Sequence, residues 1–158
     1  MYVLKTSAAF DSAHFLAGYN GKCANLHGHH WVIEVEAGQE QLQTSGEKRG
    51  MVIDFGDLKK AVRELADSFD HATIYETGTL KESTIAAFQD EGFKLIEVLY
   101  RPTAENFARA FYYDLLEQGL PVYAVTVYET PDNCARYEST EYEVHDGKVS
   151  ISGKLRQY

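Results

Sequence analysis

Residues 27–36, HGHHWVIEVE, decide the fold, because apolar and polar side chains alternate along them. Successive side chains of a β-strand point to opposite faces of the sheet, so this pattern predicts a half-buried strand. One row of the strand contains His27, His29, Trp31, Ile33 and Val35. The predicted strand therefore places two histidines at the end of an apolar row.

A second alternating stretch precedes the first one. Residues 2–14, YVLKTSAAFDSAH, place Phe10, Ser12 and His14 at the end of their own apolar row. Two alternating segments joined by a loop predict an antiparallel hairpin. Such a hairpin brings His14 beside the two histidines of the next strand.

The middle of the chain changes to helical periodicity. Apolar residues recur at steps of three and four in 52–69, with Asp54 as the helix N-cap. A second helix is predicted to begin after Thr103 and to stop at Gly119. The intervening residues 72–101 predict an ordered insertion that holds a short helix and a strand.

Two further alternating segments, 121–130 and 135–144, predict a second hairpin. The order ββααββ indicates an α+β fold, with a four-stranded antiparallel sheet and two helices on one face. At 158 residues the chain suits one domain over 1–158.

Composition narrows the classes of function. Lysine and arginine number 15 against 24 acidic residues, and the net charge of −9 disfavours binding to nucleic acid or to anionic membranes. No apolar run approaches a membrane span, and the N-terminus does not resemble a secretory leader, so we expect a cytoplasmic protein. Cys23 and Cys134 are too few for a disulfide framework.

His14, His27 and His29 form a candidate metal site. Three imidazoles that meet around one point, with a fourth position free, are typical of a catalytic zinc site. Imidazole ligands favour zinc, although iron and other divalent ions also bind them. The alternative for His14 is a core histidine that makes a single hydrogen bond, and the HxH pair on the facing strand favours the metal.

Cys23 precedes His27 by four residues and allows two roles. It is either a fourth ligand that closes a structural site, or a thiol beside the metal that acts as a base. A neighbouring metal and Lys22 would both favour the reactive thiolate. Spacing alone does not separate the two roles.

Other candidate residues lie further along the chain. Asp70 and His71 form a carboxylate–imidazole pair suited to proton transfer, although such residues also end many helices. Glu129 ends a strand and is either a ligand-binding carboxylate or an ordinary exposed glutamate. Thr103 and Glu105 lie at a helix N-terminus, where free N–H groups can bind a polar ligand, and Glu105 also complements the helix dipole.

Six separated motifs resemble the 6-pyruvoyltetrahydropterin synthase superfamily in order and spacing. They are FDSAHFL, CANLHGHHW, MVIDFGDLK, FDHATI, RPTAENFA and VYETPDNCARY. The resemblance runs from about residue 2 to 142. The C-x3-HGH spacing resembles the bacterial 6-carboxytetrahydropterin synthases of queuosine biosynthesis, because the animal-type pyruvoyl enzymes have a longer gap.

The resemblance implies a tunnelling fold, in which trimers close a β-barrel and two trimers form a homohexamer with active sites between subunits. His14, His27 and His29 are then the zinc ligands, and Cys23 is the catalytic thiol. Asp70 and His71 are the partner pair that reaches the cysteine of a neighbouring subunit. Glu129 is the pterin anchor, with Thr103 and Glu105 nearby.

The implied reaction is carbon–carbon lysis of a pterin. It converts 7,8-dihydroneopterin triphosphate to 6-carboxy-5,6,7,8-tetrahydropterin, acetaldehyde and triphosphate. The alternatives are the pyruvoyl synthase reaction on the same substrate and a noncatalytic pterin-binding oligomer. The chain departs from compact bacterial members in the insertion 72–101 and in the tail 145–158.

Overall fold

The computed structural model describes residues 1–139, 142–145 and 148–151. In chain order the elements are β1 (Tyr2–His14), β2 (His27–Gln39), α1 (Phe55–Phe69), β3 (Ala72–Glu76), α2 (Glu82–Asp90), β4 (Leu95–Val98), α3 (Ala104–Glu117), β5 (Val122–Thr130), β6 (Asn133–Glu138), β7 (Tyr142–His145) and β8 (Lys148–Ile151). A single 3-10 turn, Lys22–Ala24, lies between β1 and β2.

The β1–β2 hairpin confirms the predicted alternation. The two strands pair antiparallel along their whole length, with Phe10 opposite Trp31 and His14 opposite His27. Even positions of β1 and odd positions of β2 are the more buried ones. The register therefore places His14 of β1 and His27 and His29 of β2 at the same end of the same face.

The sheet has six strands, so the prediction of a four-stranded antiparallel sheet is corrected. The strand order is β4-β3-β1-β2-β5-β6, and the four predicted strands form its antiparallel part. The insertion 72–101 adds β3 and β4, which pair in parallel. Parallel pairing has no local hairpin signal, and β3 is only five residues long, so sequence periodicity did not reveal it.

The described residues form three helices: the two main ones and α2, the short helix that the sequence indicated within the insertion, which interrupts the order ββααββ. In α1 the Asp54 carboxylate accepts hydrogen bonds from the N–H groups of Gly56 and Asp57, as its N-cap role predicts. Thr103 caps α3, and Gly119 follows that helix at a φ of 85°. The added helix α2 has no fully buried side chain.

The core lies between one face of the sheet and the helices α1 and α3. It combines strand and helix residues, the largest of which are Trp31, Tyr112, Phe10, Phe107, Phe111, Ile33 and Leu58. Aromatic rings make edge contacts through it, including Trp31 with Phe107. The predicted placement of α1 and α3 on one face of the sheet is confirmed.

The second predicted hairpin ends earlier than expected. β6 pairs with β5 and stops at Glu138, whereas β7 and β8 form a separate two-stranded sheet. Much of the predicted tail 145–158 lies outside the described residues. Within the ranges that the structure describes, no helix is long and apolar enough to cross a membrane.

Candidate active site

Three imidazoles meet at the end of the β1–β2 hairpin. The ring centroids of His14 and His27 are 4.6 Å apart, those of His14 and His29 are 5.2 Å apart, and those of His27 and His29 are 4.9 Å apart. One nitrogen from each ring lies within 4.8 Å of the others. The predicted convergence of these residues is therefore present in a single subunit.

Hydrogen bonds fix the tautomer of two of these rings. The Nδ1–H of His14 donates to the carbonyl of Pro102 at 2.7 Å, and that of His27 donates to the carbonyl of Asn25 at 2.7 Å. Because a carbonyl only accepts, Nδ1 carries the proton and Nε2 keeps its lone pair. This is the arrangement in which a metal-bound histidine is usually held.

The donor set fits a zinc ion. The Nε2 atoms of His14, His27 and His29 are buried and make no hydrogen bond within the described part of the chain. Buried polar atoms are rarely left without a partner, so three that converge indicate a ligand. Three neutral imidazoles are a common ligand set of catalytic zinc.

Burial also favours the neutral form of His14 and His29. It lowers the pKa of His14 to about 4. The hydrogen bond to Pro102 raises this pKa by a smaller amount, and the nearby histidines lower it further. Burial likewise lowers the pKa of His29, against the opposing effect of Glu129. Trp31 packs edge-on against both rings, with centroids 4.9 and 5.4 Å away. A neutral imidazole is the form that binds a metal.

Cys23 lies in the 3-10 turn before β2 and is half-buried. Its carbonyl accepts a hydrogen bond from the N–H of Leu16 at 2.8 Å, which ties the turn to the end of β1. Its sulfur is not among the ligand atoms that cluster within 4.8 Å. The geometry thus gives a three-histidine cluster, with the thiol in the adjacent loop.

Asp70 and His71 follow the last turn of α1. The Nδ1–H of His71 donates to the Asp70 carboxylate at 2.7 Å, and the other carboxylate oxygen accepts from the N–H of Asp11 at 2.8 Å. The hydrogen bond that the Asp70 carboxylate accepts from the N–H of Asp11 is the main cause of its lowered pKa. The His71 side chain is 80% exposed. The pair is therefore preformed and accessible at the edge of β1.

Two residues around this pair were not identified from the sequence. The Asp11 side chain accepts from Nδ1 of His30 at 2.8 Å, on the face of the sheet opposite the helices. The ammonium of Lys94 donates to the carbonyls of Ser68 and Asp70 at 2.8 and 3.1 Å. The strand register could have indicated Asp11, which lies opposite His30. Lys94 contacts residues 24 and 26 positions earlier, which no local pattern shows.

His71 borders a cleft of about 630 Å³. Its walls come from β1, β2, β3 and the insertion, and they include His29, His71, Phe88, Phe93 and Lys94. The insertion 72–101 thus contributes directly to the surroundings of the candidate site.

Glu129 lies against the histidine cluster. Its Oε1 is 3.5 Å from Nε2 of His14 and 3.7 Å from Nε2 of His29. Thr103 and Glu105 begin α3, directly after the carbonyl of Pro102 that holds His14. The structure therefore brings the predicted binding residues to the same end of the sheet as the histidine cluster.

A known protein family matches most of this chain in sequence. The model of the protein family described as 6-pyruvoyl tetrahydropterin synthase matches residues 3–140, which is most of the chain. The chain belongs to the 6-pyruvoyl tetrahydropterin synthase family. The six motifs identified from the sequence all lie within the matched range.

Relatives in this family are named 6-carboxy-5,6,7,8-tetrahydropterin synthase. The relative from Haemophilus influenzae is 39% identical over 87% of this chain and 99% of its own length. The relative from Synechocystis is 30% identical over 88% of this chain and 95% of its own length.

Solved structures share the tunnelling fold of this chain. A 6-pyruvoyl tetrahydropterin synthase from Caenorhabditis elegans aligns with a TM-score of 0.62 and 26% identity, over 88% of this chain and 96% of its own. An uncharacterised protein from Wolinella succinogenes aligns with a TM-score of 0.69 and 22% identity, over 87% and 97% of the two chains. The latter likeness concerns the fold alone.

Proposed function

We propose that this protein is a zinc-dependent 6-carboxy-5,6,7,8-tetrahydropterin synthase, a carbon–carbon lyase of queuosine biosynthesis. Its substrate is 7,8-dihydroneopterin triphosphate, and its products are 6-carboxytetrahydropterin, acetaldehyde and triphosphate. The observation that carries the proposal is the cluster of three buried, unpaired Nε2 atoms in a chain of this family. The names of the bacterial relatives support the choice of reaction.

His14, His27 and His29 hold the zinc ion in this proposal. When bound, zinc supplies Lewis-acid polarisation of the hydroxyl oxygens on the substrate side chain. Trp31 and the hydrogen bonds to Pro102 and Asn25 keep the imidazoles oriented. A rigid, buried ligand set maintains the geometry that the reaction needs.

Cys23 is the base that removes a proton from the polarised side chain. Asp70 holds His71 through the Nδ1–H, which leaves Nε2 of His71 at the surface to give or accept the compensating proton. Glu129 anchors the pterin by accepting hydrogen bonds from its ring N–H and amino group. Thr103 and Glu105 lie beside this anchor at the N-terminus of α3.

The open edges of the sheet support a homohexamer built from two trimers. In the described chain β1 pairs with β3 only through residues 12–14, and Asp11 is hydrogen-bonded to Asp70 and His71, so residues 2–10 present one unpaired edge. β6 presents another at the far end of the sheet. An unpaired edge can pair with another chain, and edge-to-edge pairing of copies can close a barrel. In that assembly His71 reaches a neighbouring subunit's Cys23.

Product analysis tests the proposal. The zinc-loaded protein is incubated with 7,8-dihydroneopterin triphosphate, and the products are identified by mass spectrometry. We expect a carboxytetrahydropterin together with acetaldehyde. A pyruvoyl product assigns the chain to the sister reaction, and pterin binding without turnover makes it a binding protein.

A Cys23→Ala variant separates the two roles of the cysteine. We expect its zinc content to equal that of the wild type and its turnover to fall by at least about a hundredfold, as loss of a general base typically causes. Loss of zinc together with turnover would show a closed four-ligand site, and the proposed mechanism would then be wrong.

A further inference from the structure

The insertion presents two phenylalanines at the cleft that His71 borders. Phe88 of α2 and Phe93, which follows that helix, form the phenylalanine pair; their rings meet edge-on with centroids 5.7 Å apart, and both line the cleft. Phe93 is 60% exposed and Phe88 is half-buried. Because α2 has no fully buried side chain, packing within the subunit does not account for the pair. Adjacent apolar side chains left at a surface mark an interaction site.

The loop that carries Cys23, residues 17–26, presents apolar side chains of its own. In this cysteine loop Tyr19 is 48% exposed and Leu26 is 52% exposed. The guanidinium of Arg101 donates to the carbonyl of Ala17 at 2.6 Å and lies 6.0 Å from the centre of the Tyr19 ring. These contacts order the loop before a partner binds, which lowers the entropic cost of docking.

Opposite charges accompany the two apolar surfaces. Asp90 and Glu91, the acidic pair, lie between the two phenylalanines in sequence, and Lys22 lies between the two apolar residues of the cysteine loop. All three charged side chains are exposed, and none of them forms an ion pair within the ranges that the structure describes. The two surfaces are therefore complementary in charge as well as apolar, and such a match favours one partner in one orientation.

The proposed active site brings these two surfaces together. Under the proposed function, on which this step rests, His71 reaches Cys23 of a neighbouring subunit. His71 lines the same cleft as the phenylalanine pair. The neighbour's cysteine loop therefore has to approach this cleft, and the residues on either side of its cysteine then face the insertion.

We propose that the cleft beside the insertion is the docking site for the cysteine loop of a second copy of this chain. Tyr19 and Leu26 of that copy pack against the phenylalanine pair, and its Lys22 ammonium pairs with the acidic pair. The insertion 72–101 thereby positions the neighbour's thiol against His71 without any contact with the substrate.

Photocrosslinking identifies what occupies the cleft. In the full-length protein p-benzoylphenylalanine replaces Phe93, and oligomers are assembled from chains that contain light or heavy nitrogen. Mass spectrometry then separates crosslinks between subunits from crosslinks within one subunit. We expect crosslinks between subunits to peptides of the cysteine loop. A monomeric protein, crosslinks within one subunit only, or crosslinks to other segments of the neighbour only would overturn the proposal.

A charge exchange tests the pairing of Lys22 with the acidic pair. Native mass spectrometry of mixed light and heavy oligomers measures how fast subunits exchange. We expect Lys22→Glu to exchange subunits about tenfold faster than the wild type, because like charges then face each other. Adding Glu91→Lys to Lys22→Glu should slow the exchange again. Adding Glu47→Lys instead, at an exposed glutamate outside both surfaces, gives the same net charge and should not slow it.

An unchanged exchange rate in Lys22→Glu, or equal rescue by Glu91→Lys and Glu47→Lys, also overturns the docking. Product analysis of the wild type separates this failure from a failure of the proposed function. If the carboxypterin product forms without crosslinks to the cysteine loop, the docking is wrong and the proposed function stands. If these crosslinks form and 7,8-dihydroneopterin triphosphate is not converted, the docking stands and the proposed reaction is wrong.

Discussion

His14 is the most buried ionisable residue of the histidine cluster, with 1% of its side chain exposed. Its Nδ1–H donates a hydrogen bond to the carbonyl of Pro102, and its ring packs against Trp31. Its Nε2 lies 3.5 Å from the Glu129 carboxylate, but burial is the largest influence and lowers the pKa of His14 to about 4. The cost of burying a charged imidazole thus maintains the neutral form that binds metal.

This burial makes the stability of the metal-free protein depend on pH. The pKa of His14 is about 4 in the folded chain and 6.5 ordinarily, so between these values only the unfolded chain binds the proton. The free energy of unfolding should therefore fall as the pH drops from about 6.5 toward 4. Urea titrations of metal-free wild type and His14→Gln at several pH values measure this free energy. If it changes with pH equally in the two proteins, His14 is not the cause of the pH dependence.

His71 has a backbone conformation that most side chains avoid. Its φ is 52°, in the left-handed region, at the position after the C-cap of α1 where glycine is common. Histidine tolerates this region less well than glycine or asparagine does. Its presence at a strained position, beside Asp70, indicates that its ring has a function.

A His71→Asn variant should therefore keep or gain stability while it loses activity. Asparagine favours the left-handed conformation, so the free energy of unfolding should stay equal or rise by up to about 1 kcal/mol. Turnover should fall by about a hundredfold or more, because the proton-transfer group is removed. Urea denaturation and initial rates check the two effects. Marked destabilisation with retained turnover would assign His71 a structural role.

At the scale of elements, the long alternating strands were predictable from the sequence. β1 and β2 each span 13 residues with one buried row, so period and register followed from the residues alone. The convergence of His14, His27 and His29 was predicted from that register. The caps Asp54 and Thr103 were predictable for the same reason, since their signals are local.

The strand β3 and the parallel pairing were not predictable by the same means, although the sequence indicated the strand that is β4. β3 pairs residues 72–74 with residues 12–14, and β4 pairs only with β3. Such pairing depends on contacts far apart in sequence, and β3 is too short to show a clear period. The contact of Lys94 with the end of α1 went unnoticed because it depends on this same arrangement.

Lys94 connects the insertion to the last turn of α1. Its ammonium binds the carbonyls of Ser68 and Asp70, which lack partners within the helix. Lys94→Met should lower the free energy of unfolding by about 0.5–1 kcal/mol, because a cation at the helix C-terminus is lost. Urea denaturation against Lys81→Met, an exposed lysine of the same insertion, checks this. Equal effects of the two substitutions would contradict the connection.

At the scale of the whole molecule, the candidate site draws on two groups of residues, and His29 of one and His71 of the other line the same cleft. The histidine cluster and Cys23 lie at the turn between β1 and β2. The hydrogen bonds of Asp70 and His71 run to Asp11 and to each other at the edge of β1. An exposed His71 at a sheet edge suits a site that a neighbouring subunit completes.

Complementation between two inactive variants tests this central claim most directly. Cys23→Ala and His71→Ala chains, carrying different tags, are co-expressed, and the mixed oligomers are purified and assayed with 7,8-dihydroneopterin triphosphate. If each site takes its cysteine from one subunit and its histidine from the next, random mixing restores about a quarter of the wild-type activity. Mixed oligomers that stay as inactive as either variant alone would show that both residues act within one subunit, and the intersubunit site would be wrong.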